Sequence, residues 1–191
     1  MLSLIGKILF HLAGWELVGD YPGNDKSYVL IVAPHTSMWD VPIGICMKWW
    51  KKMDIYFYVK DEMFFPPISI ILKFLNALPI KRSGKTNFVS EVVKDFKNRK
   101  NHRVLITPEG TRKKVNKFKS GYYYIAKGAE VPILPVIFNF KDKKMIMKEL
   151  FFPTDDTAKD LENIENIFDG YVGKVPQNSF SKPISAVSSD I

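Results

Sequence analysis

Tyr28-Val29-Leu30-Ile31-Val32-Ala33-Pro34-His35-Thr36-Ser37-Met38-Trp39-Asp40 is the stretch on which the fold turns. Its first six residues form a nearly unbroken apolar run, as expected for a strand covered on both faces, and Pro34 ends it. Thr36 or Ser37 is suited to cap a following helix, Pro42 is tolerated in its first turn, and that helix would run to about Lys51.

Downstream the same alternation continues. Ile55-Tyr56-Phe57-Tyr58-Val59 reads as a second strand. Residues 62–78 are the most apolar region, interrupted by Pro66-Pro67, with a short helix over 68–75. Ile80-Lys81-Arg82 reads as a short strand entering Ser83-Gly84. A helix is predicted over 87–100 from the spacing of Phe88, Val92, Val93 and Phe96. Val104-Leu105-Ile106 is a strand ending at Thr107-Pro108-Glu109-Gly110; a helix over 122–128 and a strand over 133–140 follow. Strands alternating with helices predict an α/β domain whose chemistry sits in the loops at strand ends. That domain is assigned to residues 1–172. The Ser- and Pro-rich tail, 173–191, is expected to be flexible and to lack fixed structure.

Upstream, MLSLIGKILFHLAGWELVG reads as an apolar helix with a narrow polar stripe, that is, an N-terminal amphipathic helix. Lys7 lies inside the apolar run, unlike the order of a signal peptide. Two readings stay open: a helix packed on the core, or one lying in a membrane interface. No stretch reaches the roughly 20 apolar residues needed to span a bilayer.

A length of 191 residues suits one domain with a substantial core. Cys46, the single cysteine, allows no internal disulfide and no metal-cluster spacing. The net charge of +8 is uneven. Thirteen Lys or Arg face three acids between residues 81 and 119, and seven acids face one lysine between 149 and 169. A basic middle calls for an anionic partner. Neither a recognition helix nor a stacking platform accompanies it, so nucleic acid is not expected.

On a continuous helix His35 and Asp40 would point some 140° apart, since five residues turn about 500°. With His35 in the bend and Asp40 on the first helical turn, the imidazole can fold back onto the carboxylate, leaving its other nitrogen free as a base. Spacing alone equally allows a capping histidine with Asp40 favouring the helix N-terminus. In Thr107-Pro108-Glu109-Gly110-Thr111-Arg112, Gly110 permits a tight turn and Arg112 offers a planar fork suited to phosphate. A solvated surface turn is the alternative.

Four elements in this order resemble the lysophospholipid acyltransferase family. They are His35 and Asp40 in a His-x4-Asp spacing, Ile80-Lys81-Arg82, Pro108-Glu109-Gly110-Thr111-Arg112, and the apolar proline-containing strand Val131-Pro132-Ile133-Leu134-Pro135-Val136. Phe118-Lys119-Ser120-Gly121 is similar to a further family element. The resemblance covers residues 28–140. The family usually has Asn before the histidine, where Pro34 stands, and glycines where Asn76-Ala77 stand; this marks a compact, divergent branch with Pro-His-Thr-Ser-x-Trp-Asp.

The resemblance implies a single-domain mixed sheet flanked by helices and transfer of a fatty acyl group from an acyl thioester to a lysophospholipid in phospholipid biosynthesis. The thioester is acyl-CoA or acyl carrier protein, used as co-substrate; the acceptor it points to first is 1-acyl-glycerol-3-phosphate. His35 would be the general base and Asp40 its orienting partner. Arg82, Glu109, Gly110, Thr111 and Arg112 would bind the acceptor, with Lys60 a further head-group candidate. No metal or other cofactor is implied. The acyl chain would lie along Met63-Phe64-Phe65 and residues 68–75. Trp49-Trp50-Lys51-Lys52 suits an anionic membrane surface, implying peripheral association at the cytoplasmic face. Competing readings are an amino-acid lipid or a larger lysolipid as acceptor, and a non-catalytic protein binding anionic lipid.

Overall fold

The computed structural model describes residues 1–80 and 88–182. In chain order its elements are α1 (Leu2–Leu12), β1 (Glu16–Val18), β2 (Tyr28–Ala33), α2 (Asp40–Trp50), β3 (Phe57–Lys60), α3 (Ile68–Phe74), β4 (Ala77–Ile80), α4 (Phe88–Asn98), β5 (Arg103–Ile106), α5 (Gly121–Ala129), β6 (Ile133–Asn139), β7 (Lys144–Met147) and α6 (Thr157–Phe168).

All six residues of β2 are buried because it lies near the middle of a five-stranded sheet of order β1-β7-β6-β2-β5. It runs parallel to β5 on one side and β6 on the other. Alternate residues feed two separate cores. Val29, Ile31 and Ala33 join Val92, Tyr122, Ile125, Ile164 and Phe168 from α4, α5 and α6. Tyr28, Leu30 and Val32 join Phe10, Met47, Val136, Phe138 and Met145 beneath α1 and α2. A truncation such as Ile31→Ala would cost about 2–5 kcal/mol, since the fully buried site leaves a cavity. β7 pairs antiparallel with β6, so the sheet is mixed, as the family resemblance implied.

β3 and β4 form a second, parallel pair. A bridge from Tyr56 to Val104 places β3 beside β5. The C-terminal ends of β2, β3 and β5 therefore share one edge of the molecule.

Several expectations are corrected. The N-terminal helix stops at Leu12: Gly14, at φ +79°, turns the chain, and Glu16–Val18 pairs with β7 instead. α1 also packs inward through Ser3, Gly6 and Phe10. A Cβ on Gly6 would lie 2.6 Å from the Cys46 carbonyl oxygen, and the Ser3 hydroxyl donates to the Trp50 carbonyl at 2.7 Å. Leu4, Ile5, Ile8, Leu9 and Leu12 are left exposed.

Neither Thr36 nor Ser37 caps α2; Trp39 holds the N-cap position with no side-chain cap bond. β7 and α6 were not anticipated. The tail is corrected for residues 173–182, which pack against the domain with Phe180 1% exposed in the core. Lys81 and Arg82 lie outside the described residues.

Candidate active site

Pro34 and the bend after β2 bring His35 back over the first turn of α2. The His35 Nδ1 lies 2.8 Å from Asp40 Oδ2, with the carboxylate buried and the imidazole partly open. Ser37 donates its N–H to the same carboxylate oxygen at 3.2 Å, fixing the acid from a second direction. With Nδ1 engaged, Nε2 is the nitrogen left to exchange a proton.

Parallel pairing of β2 with β5 matches Ile31 to Ile106, so the loops that follow both strands emerge side by side. Glu109 reaches across: the His35 backbone N–H donates to its Oε2 at 2.9 Å and its Oε1 at 3.1 Å. Burial pushes the Glu109 carboxyl up to about 7, against the opposing pull of the His35 N–H and with a further push from the Asp40 charge. At 2% exposure, with both oxygens on the backbone, Glu109 holds the histidine bend. The residue implied as an acceptor contact thus has its carboxylate turned onto the His35 backbone.

Gly110 takes φ +63°, and a Cβ there would meet the Lys119 ammonium at 2.8 Å. Thr111 and Arg112 are exposed on the following turn. Lys60 is exposed at the end of β3, on the same edge of the fold. Arg82 lies outside the described residues. Cys46 is partly buried and burial raises its thiol, so it is a poor nucleophile. Among the described residues no group of His, Cys, Asp and Glu could hold a metal ion.

An apolar cavity of about 200 Å³ runs between α2 and the sheet. His35, Asp40 and Thr107 line it at the strand ends. Its walls include Val32, Gly44, Val136, Phe138 and Met147, with Lys48, Met53 and Ile55 also lining it. The Lys48 ammonium donates to the Met53 and Ile55 carbonyls at 3.1 and 3.0 Å, and burial lowers its pKa. α2 rises about 1.5 Å per residue, so Asp40 and Lys48 lie about 12 Å apart along its axis.

Sequence reasoning missed this cavity. Of the stretch expected to carry the acyl chain only Leu75 lines it, while Met63, Phe65, Ile70, Ile71 and Phe74 are exposed. Gly44, a glycine inside an otherwise bulky helix, was the available signal: its missing side chain leaves space facing Phe138.

Comparison with known proteins places these residues in context. The family described as Acyltransferase matches residues 17–139. The chain is 29% identical over 122 residues to the Caenorhabditis elegans protein acl-1, which carries the provisional name 1-acyl-sn-glycerol-3-phosphate acyltransferase; the match covers 61% of this chain and 45% of that protein. It is 30% identical over 118 residues to a 1-acyl-sn-glycerol-3-phosphate acyltransferase of Streptococcus pneumoniae, covering 61% of this chain and 43% of the relative. The chain thus spans less than half the length of these curated relatives. In fold it is similar to the 1-acyl-sn-glycerophosphate (LPA) acyltransferase PlsC of Thermotoga maritima, with a TM-score of 0.60 and 22% identity over 87% of this chain and 74% of that one.

Proposed function

Because the chain belongs to the acyltransferase family, we propose that it transfers a fatty acyl group from an acyl thioester to a lysophospholipid. The acceptor proposed is 1-acyl-glycerol-3-phosphate, the substrate in the names of the relatives. The observation that carries the reading is the His35–Asp40 pair at 2.8 Å beside an apolar cavity. An acyl chain in that cavity has its thioester carbonyl beside the imidazole.

The acceptor hydroxyl gives its proton to His35 Nε2 as its oxygen attacks the thioester carbonyl carbon. Asp40 meets the positive charge that forms on the ring. The tetrahedral intermediate collapses with cleavage of the C–S bond, and the departing thiolate takes the proton from Nε2. Transfer is direct, so no serine or cysteine nucleophile is needed. A positioned base of this kind contributes on the order of 10² to 10⁴ in rate. Arg112, exposed on the turn after Gly110, binds the acceptor phosphate with Arg82, and Lys60 adds charge at the end of β3.

The exposed apolar residues of α1 and α3, with Trp39 and Met38 beside the site, form the face that meets the lipid. Lys51, stacked over the Trp50 ring at 4.8 Å, supplies an adjacent cation for an anionic leaflet at the cytoplasmic face. Among the described residues no helix is long and apolar enough to cross a membrane; the exposed apolar side chains of this face would lie in the membrane interface.

The test is incubation of the purified protein with acyl-CoA or acyl carrier protein thioesters against a panel of lyso-lipids, with products read by mass. Acylated 1-acyl-glycerol-3-phosphate, absent with His35→Ala, is expected. No acylated product from any acceptor, or equal turnover by His35→Ala, would refute the reading.

A further inference from the structure

The family match ends at residue 139, yet the histidine bend is held by a segment more than thirty residues beyond it. Thr36, immediately after His35, is 4% exposed. Its Oγ1 accepts the Val175 backbone N–H at 3.0 Å. Gly173 presses against the same side chain: a Cβ there would stand 2.5 Å from Thr36 Oγ1, 2.7 Å from its Cγ2 and 3.2 Å from Pro34 Cβ. No real Cβ tolerates the first two distances, so only glycine fits.

The segment carrying these contacts is anchored on both sides. The Phe140 N–H donates to the Val172 carbonyl at 2.8 Å, and the Gly173 N–H to the Ser179 hydroxyl at 2.9 Å. Phe180 is buried with its ring 4.2 Å from that of Phe118. One residue on from Phe118, the Lys119 N–H donates to the Pro108 carbonyl, so the same anchor reaches the loop bearing Glu109.

We propose that residues 172–180 form a strap completing the active site, in which Gly173 and Val175 lock Thr36 and thereby set the direction of the His35 imidazole. The proposal rests on the acyl-transfer reading for its kinetic consequence. Glu109 fixes the bend before the His35 side chain and the strap fixes it after, leaving the intervening residue one backbone path. Thr36 is suited to this because a β-branched side chain has a stiff χ1. Both of its branches are gripped, so its backbone follows. Thr36 and Gly173 are positioning residues that touch no reacting atom.

The test is a clash and its relief. Gly173→Ala forces Thr36 aside, and a displacement near 1 Å at a reacting group costs on the order of 100-fold. The expected result is a kcat about 100-fold lower with KM for donor and acceptor within threefold of wild type. Thr36→Ala combined with Gly173→Ala removes both clashing atoms and should recover at least threefold of that loss, short of wild type because the Val175 N–H then has no acceptor. A general loss of packing would be worsened, not relieved, by the second truncation. Wild-type kcat in Gly173→Ala, or no recovery in the double variant, overturns the strap.

Should Gly173→Ala fail to fold, Thr36→Val and Thr36→Ser decide. Val keeps the shape and deletes the acceptor, so its kcat should fall at least tenfold below that of Ser; equal turnover overturns the proposal. If the wild-type protein acylates nothing, the function reading alone fails. The ¹H–¹⁵N resonances of the His35 ring then test the strap: they should move in Gly173→Ala and return toward wild type in the double variant. Unmoved resonances would refute it.

Discussion

Replacing Asp40 by Asn isolates the charge behind the imidazole. The carboxylate oxygen that meets His35 Nδ1 at 2.8 Å also accepts the Ser37 N–H at 3.2 Å. An asparagine is therefore held with its oxygen at that position, and the histidine keeps its partner and tautomer. What disappears is the negative charge facing the ring when the ring takes the acceptor's proton. Two unit charges about 4 Å apart attract by about 4 kcal/mol at an effective dielectric near 20. At 1.36 kcal/mol per decade this is on the order of 10³ in rate. Because the charge exists on the ring only during transfer, the loss falls on kcat and leaves KM nearly unchanged. The amide nitrogen would occupy the position of Oδ1, which is already buried without a hydrogen-bond partner, so the exchange leaves the count of unpaired groups there unchanged. The assay is steady-state acylation of a lyso-lipid, alongside thermal unfolding to show that the variant is folded. A folded Asp40→Asn enzyme with kcat within tenfold of wild type would refute the role given to the pair.

Glu109 makes stability fall as pH rises. Its carboxyl is held protonated to about 7 in the fold against an ordinary value of 4.5, so between those values the native state retains a proton that the unfolded chain has lost. That difference amounts to about 3 kcal/mol of stability surrendered by pH 7. His102, pushed down to about 4 by burial, works in the opposite sense, losing stability as pH falls from 6.5 to 4. Unfolding temperatures of wild type and Glu109→Gln across pH 4–8 should therefore diverge, with the variant gaining relative to wild type as pH rises; parallel curves would discount the buried acid. Gly44→Leu pushes a side chain toward Phe138 and into the cavity, where a Cβ alone already comes within 3.8 Å of that ring. Its preference across an acyl-CoA length series should move at least tenfold toward shorter chains, and an unchanged profile would place the acyl chain elsewhere. Arg112→Ala should raise the acceptor KM by roughly 10- to 100-fold with kcat within threefold, the worth of a charged hydrogen bond to phosphate; an unchanged KM removes Arg112 from the site. Ile70 and Ile71 are 69% and 59% exposed. Changing both to Glu should weaken co-sedimentation with anionic vesicles at least tenfold, since each buried isoleucine contributes about 1.5–3 kcal/mol, and undiminished binding would move the lipid face off α3.

The chain's local chemistry determined much of this protein. A nearly unbroken apolar run of six residues, ended by a proline, read as a strand covered on both sides, and β2 is one. Pro34 followed by a helix start made it sterically possible for His35 to fold back on Asp40, which a continuous helix forbids; the two do meet. These features depend on backbone sterics and periodicity within a few residues, which a sequence carries in full. Tertiary contact decided the rest. The side of α1 that packs inward was set by Gly6 against α2, the edge strand β1 by a partner more than a hundred residues away, and the cavity by what two elements left unfilled between them. Glu109 reaches His35 across 74 residues and Val175 reaches Thr36 across 139. At those separations no periodicity links the partners, because only the folded chain brings the side-chain oxygen of one within hydrogen-bonding distance of the backbone N–H of the other.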